Sequence, residues 1–287
     1  MKKLMIASAI AVAAFALKAD ITSANVVGYQ QIETDGTGNV MIAPTFLKVS
    51  ESNAVTLADL KVTGYTPPAW QKVGKVWKNV GGCTGQFVMQ TLTTSGLMEN
   101  AYYWLDYTTS ATTKVGPGWF ANPDGTEIPG GQGAVTFDAG KALWISGSGY
   151  SLQPTGAVNP FDVEFKTDET GNVAVGNCMP VGTKLSDLTV TGYTPPAWQK
   201  VGKVWKNVGG CTGQFVVQTL TTSGLMEKAY YWLDYTTSAT AKVGPGWFAN
   251  PDGTPIENGA DKVILDPGKG LWVSGSGYNL IVPAPEL

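Results

Sequence analysis

The sequence predicts an all-β protein built from two tandem β-sandwich-like domains. One observation is a segment that recurs almost unchanged at a fixed spacing. A second is a run of short apolar and aromatic stretches punctuated by Gly, Pro, Asn and Asp. The third is composition: 43% hydrophobic residues, 36 Gly and only 14% charged residues in 287. That balance is foreign to a disordered chain, which needs low hydrophobicity and high net charge.

The repeat comes first, because missing one misreads the whole fold. Val62 to Thr126 recurs as Val190 to Thr254 at an offset of 128, with only three differing pairs: Met89/Val217, Asn100/Lys228 and Thr113/Ala241. The register continues to Tyr150 and Tyr278. Upstream, Thr34 to Val40 matches Thr167 to Val173 at an offset of 133, so the first copy carries five extra residues within Pro44 to Thr56. Recent duplication or gene conversion explains so sharp-edged an identity, and the identity is therefore not read as the mark of a site. The expected division is a signal peptide at 1–19, one β-domain at 20–156 and a second at 157–287.

Within a copy, the first strand is expected near Val26 to Ile32, with Phe161 to Phe165 as its counterpart. The Asp35-to-Asn39 run should turn it into Val40 to Phe46 as a hairpin. Thr56 to Leu60 fits one helical turn. Gln86 to Leu92, Ala101 to Thr108, Ala134 to Phe137 and Ala142 to Ser146 read as strands, and Asn122-Pro123-Asp124-Gly125 as a turn. Trp70 to Val80 has apolar residues at helical spacing. Its three Val and internal Gly74 weaken a helix, so β or irregular structure is favoured. Gln153 to Pro160 is expected to be a short, Pro-bounded link.

At the N-terminus, Lys2 and Lys3 precede an uncharged, mostly apolar run from Leu4 to Leu17. Candidate cleavage sites follow at Ala16, Ala19 and Ala24. This is the grammar of a secretory signal, and the run is too short for an ordinary membrane span. Export to the cell surface, periplasm or medium is expected, with no membrane span after cleavage.

Two absences restrict the chemistry. The chain has no His, and all 19 basic residues are Lys. There is then no neutral-pH imidazole for Ser-His or Cys-His catalysis and no guanidinium fork for phosphate. The net charge of −3 disfavours nucleic acid. No metal-ligand spacing and no cofactor motif occurs. A glycosidase-type carboxylate pair is the remote catalytic alternative, from Asp59, Glu99, Asp106, Asp124 and Asp138 or their second-copy equivalents. Of the three Cys, Cys178 and Cys211 form the simplest disulfide, leaving Cys83 free or intermolecular; three unpaired thiols remain the alternative.

Aromatic residues are the best lead to a ligand. Each copy carries five Trp. Along Ala101 to Tyr107 side chains alternate, placing Tyr102 and Trp104 on one face and Tyr103, Leu105 and Tyr107 on the other. Both faces are aromatic, so one set should be exposed unless loops cover it. Tyr102, Trp104 and Trp119, with Tyr230, Trp232 and Trp247, are the candidate sugar-stacking residues.

Asn25-Val26-Val27-Gly28-Tyr29, the Leu57 to Gly64 segment, Gln90 to Leu92, Tyr102-Tyr103-Trp104 and the Gly140 to Gly147 run together resemble a family of uncharacterised secreted bacterial tandem β-domain proteins. Copy one departs from that pattern at Ile145, where copy two keeps Val273. The resemblance implies export and a β fold, and no activity. The leading expectation is a non-catalytic structural or adhesive surface module. The alternative is a tandem carbohydrate-binding module, with polysaccharide or other cell-surface components as partners.

Overall fold

Alternating burial sets the central sheet of each repeat. In Phe87–Leu92, Phe87 and Met89 are fully buried while Val88 and Gln90 are half-buried. Leu143–Ser146 alternates in the same way, with Leu143 and Ile145 inward. These two strands pair antiparallel as the centre of a five-stranded sheet in the order Lys114–Phe120, Met98–Thr108, Phe87–Leu92, Leu143–Ser146, Asn39–Ile42. The second repeat forms its sheet in the same order: Lys242–Phe248, Met226–Thr236, Phe215–Leu220, Gly270–Ser274, Asn172–Gly176. The computed structural model describes residues 27–29, 31–34, 39–47, 54–67, 69–81, 87–93, 97–108, 114–167, 171–195, 197–209, 215–221, 225–236 and 242–285. The expected signal segment, Cys83 and Cys211 lie outside them.

A smaller antiparallel layer closes each core. In the first repeat it is built on Ser151–Val158, which pairs with Ile32–Glu33 and Leu60–Thr63. In the second, Asn279–Val282 lies between Val163–Lys166 and Thr189–Thr191. Leu60, Val62 and Leu152 from the smaller layer meet Val40, Phe87, Met89 and Ile145 from the larger in one core. The all-β architecture is thus as expected.

Several elements depart from expectation. Asn39–Ile42 pairs with Leu143–Ser146, and Ile32–Glu33 with Ser151–Val158, so no hairpin joins them. The two strands belong to different layers. The expected link is strand: Leu152, Pro154 and Gly156 are buried in alternation, and the chain continues past Leu60–Thr63 to pair with Val27–Tyr29 and Phe46–Leu47. Lys114–Phe120 is a strand that its Gly-Pro-Gly sequence conceals. It bends at a bulge opposite Leu105 and Tyr107, where Gly116 adopts φ +79°. A Cβ at Gly116 would collide with the Leu105 carbonyl, so only glycine fits. Trp70 to Val80 is a β-hairpin, Ala69–Val73 with Val76–Gly81, turning at Gly74 with φ +67°.

The repeats meet at a seam with approximate two-fold symmetry. The Ile42 and Lys269 backbones bridge, and so do their equivalents Val175 and Lys141. The Ala43 N–H donates to the Gly268 carbonyl at 2.9 Å, and the equivalent Gly176 N–H to Gly140 at 3.0 Å. A third core fills the seam: Met41, Leu92 and Ala142 from one repeat, Ala174 and Leu220 from the other, with Trp144 and Trp272 packed against it.

Candidate functional site

The expected sugar-stacking residues belong to the cores. Tyr102 and Trp104 pair in register with Met89 and Phe87, the inward residues of the next strand, so they face inward and are half-buried. Trp119 is 2% exposed and Trp247 8%. Tyr230 is buried and Trp232 half-buried. The outward set on this strand holds Tyr103, which pairs with Phe120. The six rings are therefore not an exposed platform. The facing layer and the non-strand residues Ala121, Ile128 and Val135 pack in the same core.

They form a ladder instead. In the first repeat Tyr65, Tyr150, Phe87, Trp119 and Trp104 follow one another at centroid spacings of 5.4, 4.9, 5.8 and 5.5 Å. Tyr193, Tyr278, Phe215, Trp247 and Trp232 repeat it at 5.1, 5.1, 6.1 and 5.4 Å. Offset and edge-on aromatic pairs at such distances add to the gain from burial. Polar groups seal the ends. Tyr65 Oη donates to Asp106 at 2.9 Å, and Lys114 pairs with Asp106 at 3.6 Å. Burial pushes the Tyr65 phenol above its ordinary pKa, and the Asp106 charge pushes it further.

Four of the five first-copy candidate carboxylates, Asp59, Glu99, Asp106 and Asp124, are engaged in structure. Asp59 accepts from the Thr56 N–H at 2.9 Å and its hydroxyl at 2.6 Å, capping the turn Leu57–Asp59. Asp124 accepts from the Thr126 N–H at 2.9 Å and hydroxyl at 2.7 Å, bonds that hold its carboxyl below the usual range. Glu99 pairs with Lys141 at 3.8 Å, and Glu227 with Lys269 at 3.2 Å. Among the described residues no group of three or more His, Cys, Asp and Glu gathers to hold a metal ion. Cys178 is a buried free thiol, pushed up to about 12 by burial. Its expected disulfide partner, Cys211, lies outside the described residues.

Two surfaces that the sequence reading did not single out stand open. One is an apolar groove of about 330 Å³ at the seam, lined by Trp144 and Trp272 with Met41, Met98 and Met226. Clefts of about 450 and 520 Å³ flank it, each containing one of the Lys–Glu pairs. The signal was present: in Leu143–Ser146 the chain neighbours of Trp144, Leu143 and Ile145, face the core, so Trp144 must point to the other side of the sheet.

The other is the pair of hairpin arms. Among the described residues, Ala69–Val73 and Val76–Gly81 pair only with each other, as do Ala197–Val201 and Val204–Gly209. All of Gln71 to Lys78 and Gln199 to Lys206 are exposed. Val73 is 49% exposed, Val76 59% and Trp77 37%, with closely similar values at Val201, Val204 and Trp205.

Comparison with known proteins finds no matching family, no matching curated relative and no matching solved structure. No helix among the described residues is long and apolar enough to cross a membrane.

Proposed function

We propose that the chain is an exported, non-catalytic structural and adhesive module of the cell surface. Its two repeats act as one rigid body. The observation that carries this reading is the fate of the aromatics: the rings best suited to grip a ligand are stacked in two ladders that hold the layers together. The shared seam core adds a second support, because a joint core couples the folding of the two repeats. Four carboxylates add a third, since capping, turn and ion-pair roles occupy Asp59, Asp124, Asp106 and Glu99.

Calorimetry and glycan affinity electrophoresis test the reading on the full chain. The expected result is one cooperative transition and no retardation by any polysaccharide. Retardation that Trp104→Ala with Trp232→Ala abolishes in a still-folded protein would overturn it in favour of carbohydrate binding. Two separate transitions would overturn the rigid joint body.

A further inference from the structure

We infer that the two hairpin arms dock the protein onto an anionic phospholipid bilayer. The inference rests on the adhesive reading and names the partner of that adhesion.

Charge is sharply segregated. The chain carries −3 overall, yet no acidic residue occurs between Asp59 and Glu99, and each arm carries three lysines, Lys72, Lys75 and Lys78 or Lys200, Lys203 and Lys206. The arms are therefore cationic projections on an acidic body. They carry apolar side chains at their ends: Val73 opposes Val76 beside the turn, and Trp77 opposes Lys72 on the other face. Folding leaves Val73, Val76 and Trp77 in water, although each copy has a full core available.

Charge and apolarity together select the partner. Lysines are drawn to an anionic leaflet, with an attraction that fades within a Debye length. A hydrated polysaccharide or nucleic acid would satisfy the lysines and leave the valines wet. A bilayer satisfies both: the ammonium groups stay at the headgroups while Val73, Val76 and Trp77 enter the boundary below, the layer that Trp favours. Gly74 permits the tight turn that keeps the tip narrow.

The test is co-sedimentation of the full-length protein with vesicles of one phosphatidylglycerol to three phosphatidylcholine, beside vesicles of phosphatidylcholine alone. The protein should pellet with the first and not the second, and should release with added salt. At about fivefold per lysine, changing Lys72, Lys75 and Lys78 to Gln should lower partitioning by about a hundredfold, and changing Lys200, Lys203 and Lys206 to Gln as well should lower it by about ten-thousandfold. Arg at the same six positions should restore it. Val76→Ser with Val204→Ser should lower it by about tenfold, and Val76→Leu with Val204→Leu should not.

Failure of the unaltered protein to pellet overturns the inference, as does pelleting that the six Gln changes leave intact. Lysine-dependent binding that ignores both valine variants also overturns it, pointing to a soluble polyanion instead. Failure to pellet with a single intact melting transition rejects the lipid partner alone. A split transition rejects the joint structural body.

Discussion

The near-identical segments and the diverged ones build different parts of the molecule. Val62 to Thr126 and Val190 to Thr254 supply the arms and three consecutive strands of each five-stranded sheet, from one edge to the middle. Asn39–Ile42, Leu143–Ser146 and their equivalents supply most of the seam, to which the near-identical segments add Leu92 and Leu220. A two-fold seam between identical pieces sets like against like near the axis, where two large side chains compete for one space. Divergence resolves this. Gly270 has no Cβ, and one added there would stand 2.6 Å from Met41 Cγ and from the Met41 carbonyl oxygen. In the other half of the seam, Ala142 stands where copy two has Gly270, and Ala174 where copy one has Met41. The seam thus has one filled half and one half of small residues. The repeated segment supplies the like parts, and the few unlike residues fit the two repeats together.

The largest expected effect lies in the ladders, where the copies are alike in sequence and differ in bonding. Trp119 Nε1 donates to the Leu60 carbonyl at 2.9 Å, whereas Trp247 Nε1 is buried without a protein partner. Truncation to Ala at either position should cost about 3–5 kcal/mol in denaturant unfolding. Phe at either position should sharpen the contrast: Trp119→Phe should cost about 1 kcal/mol more than Trp247→Phe, the worth of one hydrogen bond. Equal costs would remove the asymmetry.

The seam comes next. Gly270→Ala should destabilise by about 1–3 kcal/mol through overpacking against Met41, while its counterpart change Ala142→Gly should cost about 1 kcal/mol or less. Met41→Ala in the Gly270→Ala background should recover only part of the loss, because the Met41 carbonyl remains close. Full recovery would mean that side-chain crowding alone distinguishes the two halves.

Cys178 gives a chemical readout rather than a stability change. With its thiol raised to about 12, it stays protonated at pH 8 and should resist iodoacetamide until the protein unfolds. Rapid labelling of Cys178 in the folded protein would contradict its burial.

The smallest effect belongs to the exposed turns. The Asp124 carboxyl is held below its ordinary range by Thr126, so its contribution is present above the unfolded value and lost as pH falls through the folded one. The melting temperature of Asp124→Asn should lie slightly below that of the unaltered protein near neutrality and converge with it in acid. Asp252 with Thr254 should behave alike.

Strand positions were legible wherever apolar and polar residues alternate, as in Phe87–Leu92 and Leu143–Ser146. They were hidden where the backbone does something local. Lys114–Phe120 looks like loop because a bulge needs its glycine, and Ser151–Val158 looks like a link because it holds Pro154 and Gly156. The aromatic strand was legible as strand but not as to which face lies inward. With rings on both faces, alternation supplies no sign, and only pairing with Met89 and Phe87 orients Tyr102 and Trp104.

By itself the sequence determined the near-identical repeated segment, the all-β class, the lack of imidazole and guanidinium side chains, and the turns that glycine and asparagine impose. These depend on residue type and on contacts a few positions apart. Tertiary structure alone decided which tryptophans are core, that Glu99 and Glu227 are spent on ion pairs with Lys141 and Lys269, and that the repeats share a seam. Each depends on which distant strands become neighbours. Residues 41 and 270 share no sequence signal; they meet because two sheets, each satisfied within its own repeat, leave edges and apolar side chains that only the other repeat covers.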